Sequence, residues 1–124
     1  MGEGGEGGGG DHFHMEKRTE QVCSLIYVTC PSADEARKIG RTLVEQRLAA
    51  CANVLPGMDS CYRWQGKIEQ AEEALLIVKT SKEKAAWVVA RVRELHSYSV
   101  PCVVELPILS GNPAYIEWIH SETA

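Results

Sequence analysis

The side chains best equipped for chemistry fall into two groups. In the stretch HSYSVPC, His96 offers a neutral imidazole with a nitrogen lone pair at pH 7, and Cys102 follows six residues later. Cys30 adds a second thiol just before Pro31. Imidazole and thiolate are the donors that Cu(I) prefers, so His96 assisted by Cys102 or Cys30 is the candidate soft-metal set. The competing reading is a packed thiol and a hydrogen-bonded histidine. The second group is Trp64, Lys67, Glu73, Lys79 and Tyr98, a polar and aromatic constellation along a long hairpin and the loop at 96–101. Trp64 and Tyr62 also suit a subunit contact, where such residues dominate buried centres. Glu73 and Lys79 could form an exposed pair of little energetic value. Lys79 ends an otherwise apolar run from Ala74, so it is predicted to lie near the end of a sheet and to point into something polar, such as a subunit cleft.

The elements that must hold these residues are legible from periodicity. Val22 to Val28 is an apolar strand. Ser32 and Glu35 have capping-box spacing and open a helix with an apolar face of Ala36, Ile39, Leu43, Val44 and Leu48. From Cys51 a long strand runs to a tight turn at Gln65-Gly66, with Pro56-Gly57 predicting a kink or bulge that only an edge strand tolerates. Lys67 to Thr80 returns as one extended run. At ~3.3 Å per residue it would span ~45 Å, whereas a domain of this size has a radius of gyration of ~13 Å. A hairpin too long for its own domain finds cover most simply on another copy of the chain, which predicts a homo-oligomer. Thr80 and Glu83 suggest a second capping box before a helix with Ala85, Val88, Val89, Val92 and Leu95 inward. Val100 to Leu109 reads as the fourth strand, and Asn112-Pro113 supplies the N-cap and first residue of a last helix with Tyr115, Ile116 and Ile119. The order is βαββαβ plus a terminal helix: an α+β, ferredoxin-like split βαβ sandwich with a long β-hairpin.

With 124 residues and 44% apolar content, one domain is expected. Residues 1–14, MGEGGEGGGGDHFH, are too Gly-rich to join a core and read as a flexible leader or tag in which His12 and His14 could chelate metal adventitiously. The domain is then 15–124. It carries 13 basic and 14 acidic residues, a formal charge of −1, against −4 for the whole chain. That balance gives no electrostatic footprint for nucleic acid or an anionic membrane. With no long apolar span and no signal-peptide pattern, a cytoplasmic protein is expected. Five cysteines without C-x-x-C spacing argue against a disulfide framework and a structural zinc site. Cys23 and Cys102 are expected as packed thiols, and folding is expected to need neither disulfide nor metal.

A ferredoxin-like fold hosts unrelated functions. The strand aromatics lack an RNA-recognition pattern, Val28-Thr29-Cys30-Pro31 lacks a copper chaperone's paired thiols, the first loop has no basic phosphate cradle, and no nucleophile-base motif is evident.

Several segments in order, LVEQRLAACANVLPG, CYRWQGKIEQ, VKT at 78–80, HSYSVP at 96–101, and LPI followed by GNxxYIxWI, resemble the CutA family of divalent-cation-tolerance proteins. The resemblance covers about Val22 to Ile119. It implies a homotrimeric, non-enzymatic protein of divalent or copper ion tolerance, with copper or another divalent ion as a possible ligand, and it matches Trp64, Lys67, Glu73, Lys79, His96 and Tyr98 to recurrent family positions. The chain departs from the pattern at Leu95, Ser97 and Cys102, where a second His, a Pro and a Glu are usual. Resemblance to the PII signalling trimers implies an alternative, a small-ligand sensor in which Lys67, Lys79 and Trp64 hold an anion and a flat ring. A purely structural interaction module is the third reading.

Overall fold

A computed structural model describes residues 20–124 of the chain. The proposed leader at 1–14, with His12 and His14, lies outside the described residues. The element order is β1 (Cys23–Cys30), α1 (Ala33–Glu45), β2 (Cys51–Trp64), β3 (Lys67–Thr80), α2 (Ala85–Leu95), β4 (Val103–Ile108) and α3 (Pro113–Glu122). The four strands form one antiparallel sheet in the order β2-β3-β1-β4. The two crossovers around the hairpin produce the expected ferredoxin-like arrangement.

Alternation along the strands divides the sheet into two unequal faces. Ile26, Val28 and Cys30 of β1, with Ala74, Leu76 and Val78 of β3, are buried under Ala36, Ile39 and Leu43 of α1 and Ala85, Val88 and Val92 of α2. The opposite face carries Leu25, Tyr27, Leu75 and Ile77, none fully buried, and the exposed Val104 and Leu106 of β4. There α3 covers one end only, where Ile119 packs with Cys23 and Ala50.

The hairpin is as long as its sequence requires. Both strands have 14 residues, and the turn places Gln65 and Gly66 at φ 51° and 81°. Positive φ at both central residues is what a right-twisted two-residue turn needs. Pairing slips between Leu55 and Met58, with Gly57 at φ 73°, so Pro56-Gly57 forms the expected irregularity, on the edge strand β2. Strand β1 pairs with β3 only from Ala74 to Thr80. The outer half of the hairpin, Met58–Trp64 against Lys67–Glu73, is therefore a two-stranded ribbon beyond the sheet.

Local expectations needed correction at four places. Strand β1 continues through Cys30, despite Pro31, because Cys30 still pairs with Ala74. Helix α1 ends at Glu45 and Arg47 turns the chain at φ 61°, so Leu48 reaches the core from the connection. The box at Thr80 does not form: its hydroxyl donates to the Leu48 carbonyl at 2.7 Å, and α2 begins at Ala85 without a side-chain cap. Cys102 lies just before β4 and is exposed, whereas Cys23 is buried as expected. No helix among the described residues is long and apolar enough to cross a membrane.

Candidate functional site

Along the outer ribbon, from Glu73 where it leaves the sheet out to Trp64, a cavity of about 530 Å³ is walled by the ribbon and the loop after α2. Tyr62, Trp64 and Tyr98 supply aromatic rings, Thr29, Ser60 and Ser99 hydroxyls, and Cys61 and Cys102 thiols. Val100 adds an apolar wall, and Glu73 is the only charged residue lining it among the described residues.

Glu73 reaches the cavity because it shares the parity of Leu75 and Ile77 on β3. It is only 7% exposed, and its Oε2 accepts a hydrogen bond from the Tyr98 hydroxyl at 3.1 Å. Burial and the adjacent Glu73 carboxylate push the Tyr98 hydroxyl up to about 12, so it remains a protonated donor at neutral pH.

The loop that presents Tyr98 is fastened from beneath by His96, whose side chain is fully buried. Its ring lies 2.7 Å from the Thr29 carbonyl at Nε2 and 3.0 Å from the Tyr98 backbone N–H at Nδ1. A carbonyl can only accept and a backbone N–H only donate, which fixes the neutral tautomer protonated at Nε2. Glu35 holds the neighbouring residue: its Oε2 accepts from the Ser97 backbone N–H at 2.9 Å and from the Ser97 hydroxyl at 3.0 Å. Ser32 caps α1 by accepting from the Glu35 N–H at 3.1 Å, so only half of the predicted capping box is made.

The soft-metal donor set does not fit this geometry. His96 has both ring nitrogens engaged by the backbone. Cys30 is fully buried, and burial, with Glu35 and Glu73 nearby, pushes its thiol up to about 11, which disfavours the thiolate a metal requires. Cys102 is exposed at the cavity. Among the described residues, no three His, Cys, Asp or Glu side chains cluster as metal ligands.

The second constellation divides. Trp64, Glu73 and Tyr98 share the cavity, but Lys67 and Lys79 do not line it. Lys67 sits at the hairpin tip opposite Trp64. Lys79 is six residues from Glu73, or ~20 Å along an extended strand, where its Nζ donates to Asn53 Oδ1 at 3.1 Å and lies 3.5 Å from the Tyr115 hydroxyl. It does meet polar partners near the sheet end, but not with Glu73. The sequence does not mark Glu35, Thr29, Ser60, Cys61 or Ser99 as residues of the site. Strand parity could have flagged Thr29; no pattern links Glu35 to Ser97 across 62 residues.

The family model described as CutA1 divalent ion tolerance protein matches residues 24–122, nearly the whole described domain. The chain belongs to the CutA1 family. The divalent-cation tolerance protein CutA of Thermus thermophilus is 46% identical over 99 residues, which are 80% of this chain and 96% of that protein. Protein CutA of Mus musculus is 43% identical over 81% of this chain, which spans 56% of that longer relative. The crystal structure of CutA from Xylella fastidiosa superposes with a TM-score of 0.81 at 41% identity, covering 83% of this chain and 99% of that one. The fold and the family expectation therefore agree, and the relatives are named for divalent-cation tolerance rather than for a reaction.

Proposed function

We propose that this CutA1-family chain acts in divalent-cation tolerance as a homotrimeric, non-enzymatic binding module, and that its site is the cavity between the outer ribbon and the loop after α2. The observation that carries the reading is the nearly buried Glu73 carboxylate, bonded by Tyr98, in a cavity of ligand size that Tyr62 and Trp64 also line. This favours a small-ligand site over a directly bound copper ion, because the His96, Cys102 and Cys30 donors are not available together. A binding role is favoured over catalysis because the histidine next to the cavity has no free nitrogen with which to act as a general base.

Assembly is inferred from two surfaces. The outer ribbon, seven residue pairs with no third strand, is marginal on its own in water. The second sheet face leaves Val104 and Leu106 exposed next to the partly exposed Leu25, Tyr27 and Ile77. A trimer would cover both. Five free thiols suit a reducing compartment, and we assign the cytoplasm. Sedimentation equilibrium should return three times the protomer mass at micromolar concentration, and Trp64→Ala should loosen the assembly by ~2 kcal/mol or more per site if Trp64 anchors it. A stable monomer would refute the assembly. For the site, metal analysis and mass spectrometry of protein starting at Met15 should find a small molecule rather than stoichiometric metal; the reverse would restore the metal reading.

A further inference from the structure

The cavity has a definite electrostatic character. Among the described residues its one charged lining side chain is Glu73, and no Lys, Arg or His lines it. Glu73 is 93% buried, being 7% exposed, yet it forms no ion pair among the described residues. Its only hydrogen bond there comes from the Tyr98 hydroxyl to Oε2, which leaves Oε1 without a donor. A carboxylate so far removed from water costs free energy unless a cation or several donors compensate it. Tyr98 bonds it directly, and Tyr62 and Trp64 line the same cavity further along the ribbon; aromatic ring faces attract positive charge.

This inference rests on the reading of the cavity as the binding site, and it names the ligand class. We infer that the cavity takes a small organic cation, a protonated or alkylated amine whose nitrogen pairs with Glu73 and packs against the rings of Tyr62, Trp64 and Tyr98. Three other classes fit worse. An anion such as a nucleotide would meet a buried negative charge with no basic side chain, since Lys67 sits at the hairpin tip and Lys79 is bonded to Asn53. A hard divalent ion takes six or more oxygen ligands and favours several carboxylates, whereas this cavity has one. A wholly apolar ligand would leave Glu73 uncompensated. The hydroxyls of Ser60, Ser99 and Thr29 provide acceptors for further N–H or O–H groups, so a hydroxylated amine matches the lining better than a plain alkylamine.

The test is calorimetric titration of the full chain, in reductant at neutral pH, with ethanolamine and choline as cationic probes and citrate and ATP as anionic ones. Saturable binding of a cationic probe, with neither anion binding, is expected. Glu73→Gln keeps the side-chain shape and removes the charge, and it should raise Kd at least ~tenfold, as loss of one member of a buried charge pair does. Trp64→Leu, at a half-exposed position that carries no core packing within the chain, should also weaken the cation, and sedimentation of the variant run in parallel separates loss of the ring from loss of the trimer. It keeps the test decisive if Glu73→Gln folds poorly. Tyr98→Phe removes the hydroxyl but keeps the ring, and should retain most of the affinity. Binding of ATP or citrate that is lost in Trp64→Leu, without cation binding, would overturn the ligand class but preserve the site. Cation binding unchanged in both Glu73→Gln and Trp64→Leu, or no binding by any probe, would overturn the site itself.

Discussion

His96→Ala separates a structural histidine from a metal-binding one. The ring donates to the Thr29 carbonyl and accepts from the Tyr98 N–H, and its side chain is fully buried. Truncation leaves a partly buried acceptor and a partly buried donor unsatisfied, each costing up to ~1–3 kcal/mol. Water entering the vacated space recovers part of this, so the net loss should be ~3 kcal/mol. For a domain of about 100 residues each kcal/mol is worth ~4–8 °C, which places the melting temperature roughly 12–24 °C below the parent at equal protomer concentration. Two partial replacements sharpen the test. His96→Asn can put an oxygen near the Nδ1 position for Tyr98, and His96→Gln can extend an amide nitrogen toward Thr29; each should recover a fraction of the loss. Chelator should change neither the parent nor the variants. A melting temperature for His96→Ala within a degree or two of the parent would refute the reasoning. So would a chelated parent that melts like the Ala variant.

Gly40→Ala should destabilise despite better helix propensity, because the added Cβ would lie 2.8 Å from the Ala52 Cβ, a methyl that cannot rotate away, and 3.2 Å from Leu76 Cδ1. Overpacking of ~1–3 kcal/mol exceeds a propensity gain of up to ~1 kcal/mol, so urea unfolding should show a net loss of ~1–2 kcal/mol; a gain would show that α1 shifts freely. Glu105 is held below the usual carboxylate range by hydrogen bonds from the Ser24 hydroxyl and the Gln21 amide. Its folded value lies below its unfolded value, so its stabilisation is present above the unfolded value of ~4.3 and is lost as pH falls through the folded one. Glu105→Gln should therefore flatten the acid limb of a stability-pH curve, and an unaltered limb would count against it. Cys23 and Cys30, both buried with thiols pushed up, should resist iodoacetamide in the native protein and react on unfolding, as read by peptide mass spectrometry.

The fold was largely readable because its signals are local. The extended run from Lys67 to Thr80 with its apolar block from Ala74, the Gln65-Gly66 turn and the Asn112-Pro113 cap each depend on residues a few positions apart, and Asn112 does accept from the Ala114 N–H at 3.1 Å. The Thr80 box failed because a hydroxyl has more than one possible partner, and the Leu48 carbonyl, 32 residues away, is the one it meets. The site was half readable for a related reason. Trp64, Glu73 and Tyr98 were identified by type, but their separation from Lys67 and Lys79 is set by distance along a strand, which residue type alone ignores. For His96 the sequence leaves metal ligation and a hydrogen-bonded ring both open, because its engagement by Thr29 is a tertiary contact that no spacing encodes.

The sheet order has a consequence for the birth of the chain. Of the described strands β1 is made first, yet it occupies the interior of the sheet, with Leu25 opposite Lys79 on one side and Leu106 on the other. The hairpin can close as soon as its own residues emerge, and β1 can then dock along β3. Its second edge stays open until β4, near the C-terminal end, has left the ribosome. An apolar strand with one unsatisfied edge is a template for wrong pairing. Ribosome-bound chains stalled before Val103 are therefore the form most exposed to aggregation and the natural substrate for chaperones.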